Sequence, residues 1–198
     1  MSPAALGIAE HLGWAWFVTV AMKGGEPLLL DGRRDELVGP GFPCMPFHHD
    51  TDGMELDAAD RLLARVKESA DACAFAALQG LQEELTPHHR IVALAIRHPP
   101  LPSLPNSVAD SRRSHHINSR ADGMLYHQAI CAAADRLNMV VVFHKRGDQE
   151  AAAARALGIE AEALQGKLAA LGTTASNWTK EHRHAAAAAI AVLFGRTG

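Results

Sequence analysis

The chain has 198 residues, 48% of them apolar and 21% charged, with a formal charge of −3. Such a length is ample for one domain closing a core on both sides of a sheet, and such a composition excludes a disordered tail or a fibre. With 19 basic against 22 acidic residues there is no global attraction for a polyanion, so contact with nucleic acid has to come from a local patch.

Leu6 to Glu10 reads as a first strand: a short apolar run, Leu6 to Ala9, closed by a carboxylate. His11, Leu12 and Gly13 join it to a second run rich in β-formers, Trp14 to Val20. Lys23 to Glu26 carries two glycines and makes a turn, and a third run starts at Leu28 and continues weakly to Val38. Together these predict an antiparallel three-stranded meander. From Gly39 to Gly53, Pro40, Pro43 and Pro46 alternate with Phe42, Met45 and Phe47, which predicts an irregular loop whose aromatics pack down or meet a second copy in a homodimer.

Asp57 is a suitable N-cap for a long helix, because Leu62, Leu63, Val66, Ala70, Cys73, Ala77, Leu78, Leu81 and Leu85 keep three-and-four spacing. Pro87 ends it, and Ile91 to Ile96 is apolar enough for a strand buried on both faces and parallel to the first. Prolines 99, 100, 102 and 105 follow, then a helical stretch from about Ser107 to Leu137, broken near Gly123. Met139 to Phe143 is the last strand. Helices are predicted at Gln149–Leu157, Glu160–Leu171 and Thr179–Phe194, and the alanine run Ala185 to Ala189 suits close packing on a neighbour.

Several chemistries lack their residues. There is no GxxxxGK[ST] loop, no GxGxxG after a strand, no GxSxG and no HExxH. Cys44, Cys73 and Cys131 are odd in number with no CxxC pair, as expected of reduced thiols. No run approaches the roughly 20 apolar residues of a membrane helix, and no basic segment leads into one at the start, so a cytoplasmic protein without a membrane partner is expected. The single local basic patch is Ser111 to Arg120, with Arg112, Arg113 and Arg120. It could hold an anionic strand or be a solvated helix face. Of twelve histidines, His48 and His49 stand with Asp50 and Asp52 in a loop and read as a solvated turn. Asp122 and Tyr126, four apart, could serve as orienting groups or satisfy each other.

The order βββ-α-β-α-β-α over the whole chain resembles the ribonuclease H-like fold: α/β, with a mixed five-stranded sheet and helices on both faces. The long helix after the meander and the alanine-rich last helix resemble the branch containing Holliday-junction resolvases. That resemblance implies a divalent-metal phosphodiesterase or nuclease acting on single-stranded or branched nucleic acid or another anionic phosphoester. It implies carboxylates on the first strand, after the fourth strand and on the last helix. Glu10 stands at the first of these positions, whereas the fourth strand ends in Arg97 and His98, a departure from the acidic pattern. On the last helix Glu181 and His184 share a face.

The expected catalytic set is therefore Glu10, His98, Glu181 and His184. One ion, Mg, Mn or Zn, would be held by Glu10, Glu181 and His184, with Arg97, Arg112, Arg113 and Arg120 on the substrate. The alternative is a binding or assembly module of the same fold without catalysis, in which Glu10 pairs with Arg97 across adjacent strand ends.

Overall fold

A computed structural model describes residues 1–173 and 178–195. Its elements in chain order are β1 (Ser2–Glu10), β2 (Trp14–Lys23), β3 (Glu26–Glu36), α1 (Leu56–Leu85), β4 (His89–Arg97), α2 (Val108–Arg112), α3 (His115–Arg136), β5 (Val140–His144), α4 (Gln149–Leu157), α5 (Ala161–Gly172) and α6 (Lys180–Gly195). The five strands form one sheet in the order β3-β2-β1-β4-β5. β1–β2 and β2–β3 are antiparallel, whereas β1–β4 and β4–β5 are parallel.

Strand alternation sorts the core into two layers. Leu6 and Ile8 of β1 join Phe17, Leu94, Ile96 and the buried faces of α1 and α3 on one side of the sheet. Ala5 of β1 joins Val18, Val20 and the helices α4, α5 and α6 on the other, with Ala9 packed against that cluster. The periodic stripe of α1 is the buried one: Ala59, Leu63, Val66, Ala70, Ala74, Leu78 and Leu81 face the sheet. Each fully buried leucine there contributes on the order of 2 kcal/mol by removal of apolar surface from water.

The alanine run of α6 packs as its composition suggests. Ala185 to Ala189 are all buried, and the helix lies so close to β1 that a Cβ added at Gly7 would stand 1.8 Å from the Ala185 carbonyl oxygen. Gly13, at φ +81°, closes the turn between β1 and β2 in a conformation that other residues rarely adopt.

β1 and β4 start earlier than expected, at Ser2 and His89 rather than Leu6 and Ile91, and two helical boundaries also differ. Asp57 lies inside the first turn of α1 rather than at its cap, which is Glu55 without a side-chain bond. The stretch after the prolines breaks at Arg113–Ser114 rather than at Gly123, which sits inside α3. The break has a local cause: the Ser107 hydroxyl caps Asp110 N–H at 3.0 Å, and Ser111 Oγ turns back to the Val108 carbonyl at 2.8 Å, so serine side chains satisfy a single short turn.

The proline-aromatic loop packs inward. Phe47 is fully buried, with its N–H donating to Asp122 Oδ1 at 2.8 Å, and Tyr126 Oη donates to the Cys44 carbonyl at 3.0 Å. Asp122 and Tyr126 thus hold this loop rather than each other. No helix among the described residues is long and apolar enough to cross a membrane.

Candidate anion-binding cleft

The three parallel strands β1, β4 and β5 end side by side, at Glu10, Arg97 and His144, with Arg97 opposite His144 in the register. Carboxyl ends of parallel strands are where open α/β sheets place ligands. Here two adjoining hollows of about 580 and 590 Å³ share Glu10, His11, Arg97, His144 and Arg146 as walls. His98 and Arg120 line the first, and Lys180, Glu181 and His184 line the second.

Glu10 is held in place on two sides. Its Oε2 lies 3.0 Å from His127 Nδ1, and its Oε1 lies 3.6 Å from Arg97 Nη2. The same guanidinium donates to the Glu10 carbonyl oxygen at 3.3 Å. The side chains of Glu10 and His127 are 11% and 3% exposed, so this is a pair withdrawn from water. Burial works against a charged His127 ring, but the Cys131 thiol and the Glu10 carboxylate outweigh it and lift the ring to about 9. Nε2 of His127 has no hydrogen-bond partner among the described residues, while Nδ1 holds the Glu10 carboxylate. His144 moves the other way: burial lowers it, with Arg97 adding to the effect.

The expected metal ligands are each engaged elsewhere. Glu181 Oε1 lies 3.1 Å from His11 Nε2, and His184 Nε2 lies 3.6 Å from Glu150 Oε1. The reason is alternation along β1: Leu6, Ile8 and Glu10 share the face toward α3, whereas α6 covers the opposite face, where the last β1 side chain is Ala9. Glu10, Glu181 and His184 therefore border one hollow from different sides of the sheet. Among the described residues no group of three or more His, Cys, Asp or Glu could hold a metal ion. As paired here, the donor set does not fit one.

Of the four arginines expected on substrate, Arg97 and Arg120 line the cleft. Arg112 instead donates to the Thr51 carbonyl at 2.8 Å and holds the proline-rich loop. Arg113 pairs with Asp110 at 3.2 Å and lines a separate hollow with the proline segment. His98 stands at the cleft wall with its ring 5.8 Å from that of Phe143.

Sequence reasoning missed Lys145, Arg146 and Lys180, which bring the cations of the two hollows to five with Arg97 and Arg120. A signal for the first two existed: paired cations directly after a strand fall at its carboxyl end, although β5 itself is half-exposed here, with Val140 and Phe143 open to solvent. His127 had no such signal, since its partner is 117 residues away. Of the two carboxylates of the cleft, Glu10 is shared between His127 and Arg97 and Glu181 is paired with His11, so Arg120, Lys145, Arg146 and Lys180, which have no carboxylate partner among the described residues, are left to attract an anion.

No protein-family model matches the chain, and no curated protein matches it. Solved structures do. RuvC of Thermus thermophilus superposes with a TM-score of 0.56 at 14% identity, over 98% of this chain and 96% of that one. T. thermophilus RuvC in complex with a Holliday junction substrate superposes equally, with a TM-score of 0.56, 15% identity and the same coverage. The chain thus has the ribonuclease H-like fold of these RuvC structures, a mixed five-stranded sheet with helices on both faces.

Proposed function

We propose that this protein binds the phosphodiester backbone of single-stranded or branched nucleic acid in the cleft at the ends of β1, β4 and β5, as a binding module rather than a metal-dependent nuclease. One observation carries the reading: Arg97, Arg120, Lys145, Arg146 and Lys180 line two adjoining hollows whose only carboxylates among the lining residues, Glu10 and Glu181, are paired with His127 and His11. Cations around a concave surface release counterions from a polyanion and so bind it, and of these five only Arg97 is shared with a carboxylate among the described residues, Glu10. The fold neighbour bound to a Holliday junction makes a branched strand the natural first probe.

The second reading is a single-ion phosphodiesterase with Glu10, Glu181 and His184 as ligands. It is favoured by these three lining the same hollow, and it requires the His127, His11 and Glu150 pairs to open.

The deciding experiment is a binding titration with labelled four-way junction and single-stranded oligonucleotides in a chelator, followed by incubation with Mn²⁺. Binding without divalent metal, lost with rising salt and weakened in a Lys145→Ala/Arg146→Ala variant, supports the module. Strand cleavage that depends on Mn²⁺ and vanishes in Glu10→Gln would replace it with the hydrolase.

A further inference from the structure

A column of flat side chains runs from the β2–β3 hairpin to the cleft. Arg34 of β3 lies over the Trp14 ring, with its guanidinium carbon 4.2 Å from the centroid. His11 stacks on Trp14 with centroids 3.9 Å apart and planes within 4°. Trp16 meets Trp14 edge-on at 5.8 Å and rests on His182 at 4.0 Å, which in turn faces Trp178 at 5.3 Å. The aromatic cluster is thus anchored on the buried start of α6, where His182 is 2% exposed.

His11 is the member that reaches the cleft. It lines both hollows, its side chain is 31% exposed, and its Nε2 is tethered to Glu181, which sets the plane of the ring. Trp14 covers one of its faces, which leaves the other for a further flat partner. Beside that ring stand Arg97 and Arg146, which could hold the phosphates on either side of such a partner. Cations that track a backbone next to a stacking ring are how proteins hold unpaired strands without reading sequence.

We propose that the Arg34–Trp14–His11 column ends in a stacking ledge that takes one unpaired nucleobase on the open face of His11. This inference rests on the cleft being a phosphodiester site and adds the preference for bases freed from a duplex, whose stacking faces are otherwise occupied. The aromatics that the basic Ser111–Arg120 segment lacks are supplied by β2 instead, across the fold.

The test compares two labelled strands of equal length and charge, oligothymidylate and an abasic analogue, by fluorescence anisotropy at one salt concentration. The wild type, His11→Ala, His11→Phe and the Lys145→Ala/Arg146→Ala variant are all measured. The wild type is expected to favour thymidylate by about tenfold, the effect of one stacked base. His11→Ala should bind both strands as the wild type binds the abasic one, while His11→Phe keeps the preference because the ring is kept. The Lys145→Ala/Arg146→Ala variant should weaken both strands alike, and thymidylate but not the abasic strand should quench wild-type tryptophan emission. Tight binding of both strands with equal affinity in the wild type overturns the ledge and leaves the cleft standing. Failure of both strands to bind overturns both.

Discussion

Glu10 and His127 are 117 residues apart in the chain and 3.0 Å apart at the carboxyl end of the central strand. A carboxylate at that place invites a metal, but here one oxygen meets a buried imidazole from the middle of α3 and Arg97 closes on the other.

That pair should make stability depend on pH in one direction. The ring is raised from 6.5 to about 9, so the contribution is fully present below about 6.5 and is lost as pH rises through about 9. Glu10→Gln should cost about 2 kcal/mol at neutral pH, because an imidazolium is left buried with a weaker partner. Urea midpoints on both sides of that window should fall in the wild type and stay flatter in the variant. A wild-type midpoint that does not fall through the window would show that the ring is not charged by Glu10.

The cleft cations should act through phosphates. In the Lys145→Ala/Arg146→Ala variant, affinity for single-stranded or junction DNA should drop and the slope of log affinity against log salt should fall by about one to two units. Its thermal midpoint should match the wild type, since exposed surface charges contribute little to stability. An unchanged salt slope would move the binding surface elsewhere.

Gly7→Ala should be among the most damaging single changes. The new methyl would stand 1.8 Å from the backbone oxygen of Ala185, and a backbone atom cannot swing aside as a side chain can. Separation of α6 from β1 should cost about 3 kcal/mol or more, read as a loss of denaturation midpoint. A variant as stable as the wild type would mean that α6 does not lie as close to β1 as described.

Asp122 offers a pair of substitutions with different outcomes. Burial raises it from 3.8 to about 6, so its ionisation opposes folding, and the stability it allows below about 3.8 is lost as pH rises through about 6. Asp122→Asn keeps an acceptor for the Phe47 N–H and removes the buried charge, so it should be neutral or slightly stabilising at pH 7. Asp122→Ala strands that buried N–H and should cost about 2 kcal/mol. Chemical denaturation of both variants side by side checks the contrast.

Much of the scaffold could be read without coordinates, because periodicity is a local property. The two-residue alternation of β1 and β2, the three-and-four stripe of α1 and the alanine run of α6 each report what one element buries. Part of the charge of the cleft was visible in Arg97 and Arg120, whereas the Lys145–Arg146 pair that follows β5 was missed. What the chain alone could not settle is which face of a strand end meets which helix. Glu10 points toward α3 while Glu181 and His184 come from α6 on the opposite side, and the one-residue difference between Glu10 and Ala9 decides it. A carboxylate's chemistry follows from its neighbours, and those neighbours, His127 and Arg97 for Glu10 and His11 for Glu181, are set by sheet register and helix packing rather than by any spacing along the sequence.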